Sequence, residues 1–233
     1  MTVSQKLKSP NQTNKSSKMK RTALIIVDPQ FDFGDPRGAL YVPKGETVVS
    51  IINALRAYLN TRDVFISQDN HPADHVSFAA NNPPAALFSS ITLPDGTNQV
   101  MWPVHCVRGS HGSWFLDGLT IEDTDIIIPK GQRQDTDSYS AFGSACGQKE
   151  VTPLLAHLQE RGITHVVVAG LALDYCVSYT AKDAAKFGFK TCVVLSASMG
   201  VAKDSTDKEL VLMAEAGVTL ADDISAALKF VAQ

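Results

Sequence analysis

The chain has 233 residues, 44% of them hydrophobic, and a formal net charge of −3 at pH 7. That is enough apolar material to bury a sizeable core in one domain; the near-neutral balance offers no electrostatic case for nucleic acid, and no run of about 18 apolar residues is present to span a membrane. The charge is uneven: residues 1–20 carry five lysines and no acid, whereas residues 21–233 carry 16 basic against 24 acidic side chains, a formal −8.

The opening stretch, MTVSQKLKSPNQTNKSSKMK, is polar and lacks both arginine and the apolar centre of a secretory signal. A disordered leader over 1–20 is the expectation, because such a composition buries too little to offset its chain entropy. From Arg21 short apolar runs alternate with amphipathic segments, and 21–233 reads as a single domain. TALIIVD (22–28) is a continuous apolar run ending at an aspartate, the pattern of a strand covered on both faces. ETVVSIINALRAYLN (46–60) has helical spacing, with Val48, Ile51, Ile52, Leu55 and Leu59 on one side. DVFISQD (63–69) is a second strand ending at an aspartate, and DIIIPK (125–130) a third ending at a lysine. VTPLLAHLQERG (151–162) reads as a helix closed by glycine, THVVVAG (164–170) as a strand, and DYCVSYTAKDAAKFG (174–188) as another glycine-closed helix. The strand FKTCVVLS (189–196), the helix TDKELVLMAEAG (206–217), a short VTL (218–220) and a final helix DDISAALKFVA (222–232) complete the series.

Strand and helix alternating at this rhythm predict an α/β fold, a three-layer, mainly parallel sheet with helices on both faces. No dinucleotide fingerprint follows the first strand and no phosphate-cradling GxxxxGK[ST] occurs, so nucleotide chemistry has no support. The stretch from Asp69 to Asp125 is too long for an ordinary connection. It holds QDNHPADHVSF (68–78) and VMWPVHCVRGSHGSWF (100–115), and predicts a folded insertion at about 69–122 that roofs a site.

In open parallel sheets ligands bind beyond the carboxyl ends of the strands. Asp28, Asp69 and Lys130 stand at those ends, with Cys176 one turn further on. Asp174 reads as the N-cap of the helix, placing Cys176 in its first turn, where partial positive charge and free N–H groups favour a thiolate and an adjacent oxyanion. A cysteine there is either core filler or a nucleophile; Asp28 could equally be a turn residue and Lys130 a solvated charge. Together the three fit one mechanism, in which the acid takes the thiol proton and returns it to a leaving nitrogen while the lysine favours both anions. Asp69 and His71, with His105, make an ordinary donor set for zinc or a neighbouring first-row metal, although loop histidines are often plain surface groups. His75 reads as a surface group, with a fourth ligand or supporting partner as the alternative; His111, His157 and His165 read as structural. Phe33, Trp102 and Tyr139 lie on adjoining loops, as lids, core or walls for a flat ligand. The four cysteines, 106, 146, 176 and 192, show no framework spacing, which fits free thiols in a reducing compartment, the cytoplasm. Cys192 reads as core, while Cys146 fits either role.

These residues fall in five ordered stretches: VDPQFDF (27–33), QDNHP (68–72), WPVHC (102–106), PKGQRQDTDSYSAF (129–142) and GLALDYCV (170–177). In that order they resemble the motifs of nicotinamidases in the isochorismatase-like cysteine hydrolase superfamily, from about Thr22 to Leu228. The resemblance implies a six-stranded sheet and hydrolysis of nicotinamide to nicotinate and ammonia, a step in recycling NAD. It implies that Cys176 is the nucleophile of a thioester route, Asp28 the general base and acid, and Lys130 the third member. It implies one divalent metal on Asp69, His71 and His105, zinc first, with iron or manganese as alternatives. A cis peptide before Ala172, an oxyanion hole from the N–H groups of Ala172 and Cys176, and ring walls from Phe33, Trp102 and Tyr139 follow from the same likeness. The expected partner is nicotinamide alone, with no nucleic acid and no membrane, in a chain free to form a homo-oligomer. Rival readings are hydrolysis of another small amide and a catalytically silent, metal-bearing ligand binder. Asn70 departs from the pattern, standing where an aromatic residue is common in relatives.

Overall fold

The structure is a computed structural model and describes residues 20–144 and 149–233. The expected leader, apart from Lys20, and Cys146 lie outside the described residues. In chain order the elements are β1 (Thr22–Val27), α1 (Phe31–Gly34), α2 (Val48–Leu59), β2 (Val64–Asp69), a hairpin of β3 (Ser90–Thr92) and β4 (Asn98–Val100), β5 (Ile126–Lys130) and α3 (Leu154–Glu160). Then come β6 (His165–Leu171), a π-helical turn Leu173–Val177 leading into α4 (Ser178–Lys186), β7 (Lys190–Met199), α5 (Lys203–Glu215), β8 (Thr219–Ala221) and α6 (Ile224–Ala232).

Six strands form one sheet in the order β5-β2-β1-β6-β7-β8, every pair parallel. The apolar runs follow from this placement. β1 and β6 are central, and Ala23 to Val27 and Val166 to Ala169 are entirely buried because helices cover both faces. One core packs Ile25, Val27, Val166 and Val168 against α3, α4 and α5 through Leu154, Leu158, Ala181 and Met213. The opposite core packs Leu24, Ile26, Val167 and Ala169 against α2 and α6 through Ile52, Leu55 and Ala227.

Three boundaries differ from the sequence reading. α3 begins at Leu154, because Pro153 takes the N-cap position. β7 runs on to Met199 through a register shift against β6 between Val168 and Gly170. α5 starts at Lys203, three residues early, just after Val201 and Ala202, whose N–H groups a buried carboxylate holds (below). The hairpin β3–β4 inside the insertion had no legible alternation.

Candidate active site

The carboxyl ends of β5, β2, β1 and β6 lie side by side, and each delivers one reactive group. Asp28 follows β1 directly in a left-handed conformation, φ 44°. The Ser67 hydroxyl accepts from its backbone N–H at 3.2 Å and donates to its Oδ1 at 2.6 Å. Lys130 ends β5 and is not the solvated charge it could have been: it is fully enclosed. Its Nζ donates to Asp69 Oδ1 at 2.6 Å and to the Ser138 carbonyl at 2.9 Å. It also lies 2.9 Å from Asp28 Oδ2 and 3.5 Å from Cys176 Sγ. A buried ammonium survives only when well paired. Here burial works against the charge, but Asp28 and Asp69 outweigh it and hold Lys130 well above the usual lysine range.

The same burial divides the acids. It raises Asp28 to about 6, with Lys130 opposing and Asp69 adding to the rise. Asp69 also feels burial, yet Lys130 and His71 overcome it and keep its carboxylate charged well below the usual range. Burial pushes the Cys176 thiol well up, against the pull of Lys130. A thiol held up in this way needs a base within reach, and the Asp28 carboxylate lies beside it. The carboxylate oxygens of Asp28 and Asp69 and the Cys176 sulfur lie within 4.8 Å of one another. Asp28 Oδ2 is buried with no aligned hydrogen-bond donor among the described residues, leaving a lone pair for a thiol proton.

Cys176 sits in the π-helical turn after β6, reached through a cis peptide between Leu171 and Ala172. Ala172 takes the N-cap position, and its carbonyl accepts from the N–H groups of Tyr175 and Val177 at 3.0 and 3.1 Å. Asp174 does not cap this helix, as its position had suggested. It lies inside the turn, and its carboxylate accepts from Val201 N–H (2.9 Å), Ala202 N–H (3.2 Å) and the Ser205 hydroxyl, so that it holds the entry to α5 instead. An Asp satisfies whichever helix end reaches it first, and the end of β7 brings α5 there.

Asp69, His71 and His105 are all buried, with candidate ligand atoms within 4.8 Å of one another. Nδ1 of His71 donates to the Gly131 carbonyl at 2.8 Å and Nδ1 of His105 to the Pro103 carbonyl at 2.7 Å. Each ring therefore turns its Nε2 toward the site, the arrangement of metal-ligating histidines. Burial lowers His105 to about 4, so its ring is neutral; His71, raised by Asp69 against burial, would release a proton to a metal. Gly131 is required beside His71: it has φ 62°, and a Cβ there would fall 2.3 Å from the ring. His75 is not a surface group. It is buried, stacks on His71 at 4.1 Å, and spends both nitrogens on Ser77 Oγ and the Thr136 carbonyl, which makes it a support.

A small, partly open cavity lies beside these groups, and Phe33, Trp102, Tyr139, Asp69, His105, Ala172 and Cys176 all reach its wall. Trp102 donates from Nε1 to the Tyr139 hydroxyl at 3.0 Å and meets the Tyr175 ring edge-on at 4.9 Å. Leu40, Val42, Asp137, Tyr175 and Val201 also line it and were missed from sequence. Tyr175 could have been found, because it adjoins Cys176; the others sit in loops without periodicity.

The isochorismatase domain family matches residues 22–224. The chain belongs to that family. It is 40% identical over 179 residues to a nicotinamidase of Acinetobacter baylyi, spanning 77% of this chain and 81% of the relative. Among solved structures, a nicotinamidase pyrazinamidase of Acinetobacter baumanii superposes with a TM-score of 0.81 at 39% identity, over 88% of this chain and 96% of that one. The pyrazinamidase of Pyrococcus horikoshii in complex with zinc superposes at 0.71 with 30% identity, over 86% and 98%. The family member described here is thus a hydrolase acting on an amide.

Proposed function

We propose that this hydrolase converts nicotinamide to nicotinate and ammonia, a step in recycling NAD. One observation carries the reading: Asp28 and Lys130 converge, buried, behind Cys176, which opens on a cavity with aromatic walls that also reaches Asp69 and His105. Phe33, Trp102 and Tyr139 would wall a flat ring, with its carboxamide against Cys176.

Asp28 takes the Cys176 proton as the sulfur attacks the carboxamide carbon, so that no free thiolate has to persist in a buried site. The N–H groups of Ala172 and Cys176 hold the oxyanion of the tetrahedral intermediate. Asp28 returns the proton to the amide nitrogen, ammonia leaves and a thioester remains. Water that loses its proton to Asp28 then attacks the thioester, and the sulfur leaves with that proton. Lys130 stays charged throughout and holds both anions in place. Asp69, His71 and His105 would hold a divalent ion, zinc first by this oxygen and nitrogen donor set, which would supply Lewis acidity beside the cavity. The buried free thiols Cys106, Cys176 and Cys192 fit a reducing compartment, and we place the protein in the cytoplasm. No helix among the described residues is long and apolar enough to cross a membrane.

The test is ammonia release from nicotinamide by the purified protein, as isolated, after chelation, and with single metals restored. The expected result is turnover that falls on chelation, returns with zinc, and is absent in Cys176→Ala. Folded, metal-loaded protein without turnover on nicotinamide would sink the substrate assignment.

A further inference from the structure

The backbone ladder between β1 and β2 ends at Ile26 opposite Ile66. Past that point side chains take over, and two of them come from the segment just after Asp28. Gln30 is fully buried. Its Oε1 accepts from Asp69 N–H at 2.7 Å, and its Nε2 donates to the Asp69 carbonyl at 2.8 Å and the Ser113 carbonyl at 3.0 Å. A primary amide carries the donor and acceptor of a peptide group, so Gln30 serves as one further rung where the main chain has turned away. Asp32, also buried, accepts from Cys106 N–H on Oδ2 at 2.7 Å and from Ala39 N–H on Oδ1 at 3.0 Å. Cys106 follows His105 in a left-handed conformation, φ 45°, and its carbonyl accepts from His71 N–H at 3.1 Å. The fit around Asp32 is tight: a Cβ on Gly112 would lie 2.0 Å from its Oδ2.

We propose that Gln30 and Asp32 are positioning residues that set metal affinity, by keying the main chain of all three ligands to the strand that carries Asp28. Gln30 grips Asp69; Asp32 grips Cys106, and through that one residue both His105, which precedes it, and His71, which donates to its carbonyl. Neither side chain touches the metal or the substrate. Their effect is to fix where the ligand atoms stand relative to each other and to the general base, so that little reorganisation accompanies metal binding. The inference rests on Asp69, His71 and His105 being the metal ligands.

The experiment is a zinc titration of metal-free protein against a competing chromophoric chelator, with circular dichroism recorded on each sample. Gln30→Leu removes the rung at similar size, and Asp32→Asn leaves one of two N–H groups facing another donor. Each is expected to weaken zinc binding roughly 10–100-fold while the metal-free protein stays folded. Gln68→Leu, which loses only a bond to the Ser113 carbonyl, should stay within about twofold. If Gln30→Leu does not fold, Gln30→Glu, which keeps the acceptor and loses the donor, is read in its place with the same expectation. Wild-type zinc affinity in both positions, an equal loss in Gln68→Leu, or failure of every variant to fold would overturn the proposal. A wild-type protein that binds neither zinc, iron nor manganese would overturn it too. One that binds zinc but releases no ammonia from nicotinamide would fail the functional reading alone and leave this inference standing.

Discussion

Asp28 decides the pH behaviour of the site. Its carboxyl is raised to about 6 by burial, so it is a competent base only above that pH and a protonated acid below it. The Cys176 thiol is pushed up by the same burial, out of the neutral range, so the pair shares one proton between acid and alkaline limits. The sign follows directly: kcat/KM for nicotinamide should fall as pH drops through about 6, with unit slope, because a protonated Asp28 cannot accept from Cys176. Steady-state kinetics across the acid range checks it. An acid limb centred near the ordinary carboxylate value of about 4 would mean that Asp28 is not the base. Lys130 explains why two acids so close together can differ: it sits 2.6 Å from Asp69 and 2.9 Å from Asp28, and Asp69 has the aligned hydrogen bond.

Among the elements, the π-helical turn and α5 are joined by a single side chain. Asp174 accepts from Val201, Ala202 and Ser205, and Val201 lines the cavity. Asp174→Ala should therefore do two things. It should destabilise the fold by about 2 kcal/mol, the loss of a charged acceptor for two N–H groups and a hydroxyl. It should also raise KM more than it lowers kcat, by loosening one wall of the cavity. Urea unfolding and steady-state kinetics measure both, and an unchanged unfolding midpoint would disprove the link. This element also marks the limit of what the sequence discloses. β1, β2 and β6 were legible because an apolar run covered on both faces is a local signal, and the ten expected site residues were legible because they cluster in short motifs. Asp174 was assigned to the wrong helix, since a carboxylate carries no mark of which helix end will reach it. His75 looked like a surface residue because burial by a neighbouring ring and a distant carbonyl leaves no trace in local composition. Leu40 and Val201 went unnoticed for the same reason: their loops become walls only when the sheet brings them to one end.

At the scale of the molecule, residues 21–233 carry a formal −8, yet nicotinamide is neutral. Long-range steering thus has nothing to act on. kcat/KM should change by less than about twofold when salt is raised from roughly 0.02 to 0.5 M, a range that shortens the screening length severalfold. A strong salt dependence in stopped-assay kinetics would point to a charged substrate. The order of strands has a different consequence, for the time at which the site comes into being. Lys130, Asp69, Asp28 and Cys176 are neighbours along one edge of the sheet, but they are drawn from residues 28 to 176 of the chain. On the ribosome Asp28 is made first and Cys176 last, so the cradle of carboxylates and ammonium can exist before the sulfur emerges. If these four groups act together as proposed, no fragment ending before β6 has docked is active, and catalytic activity signals that β5, β2, β1 and β6 have closed in register.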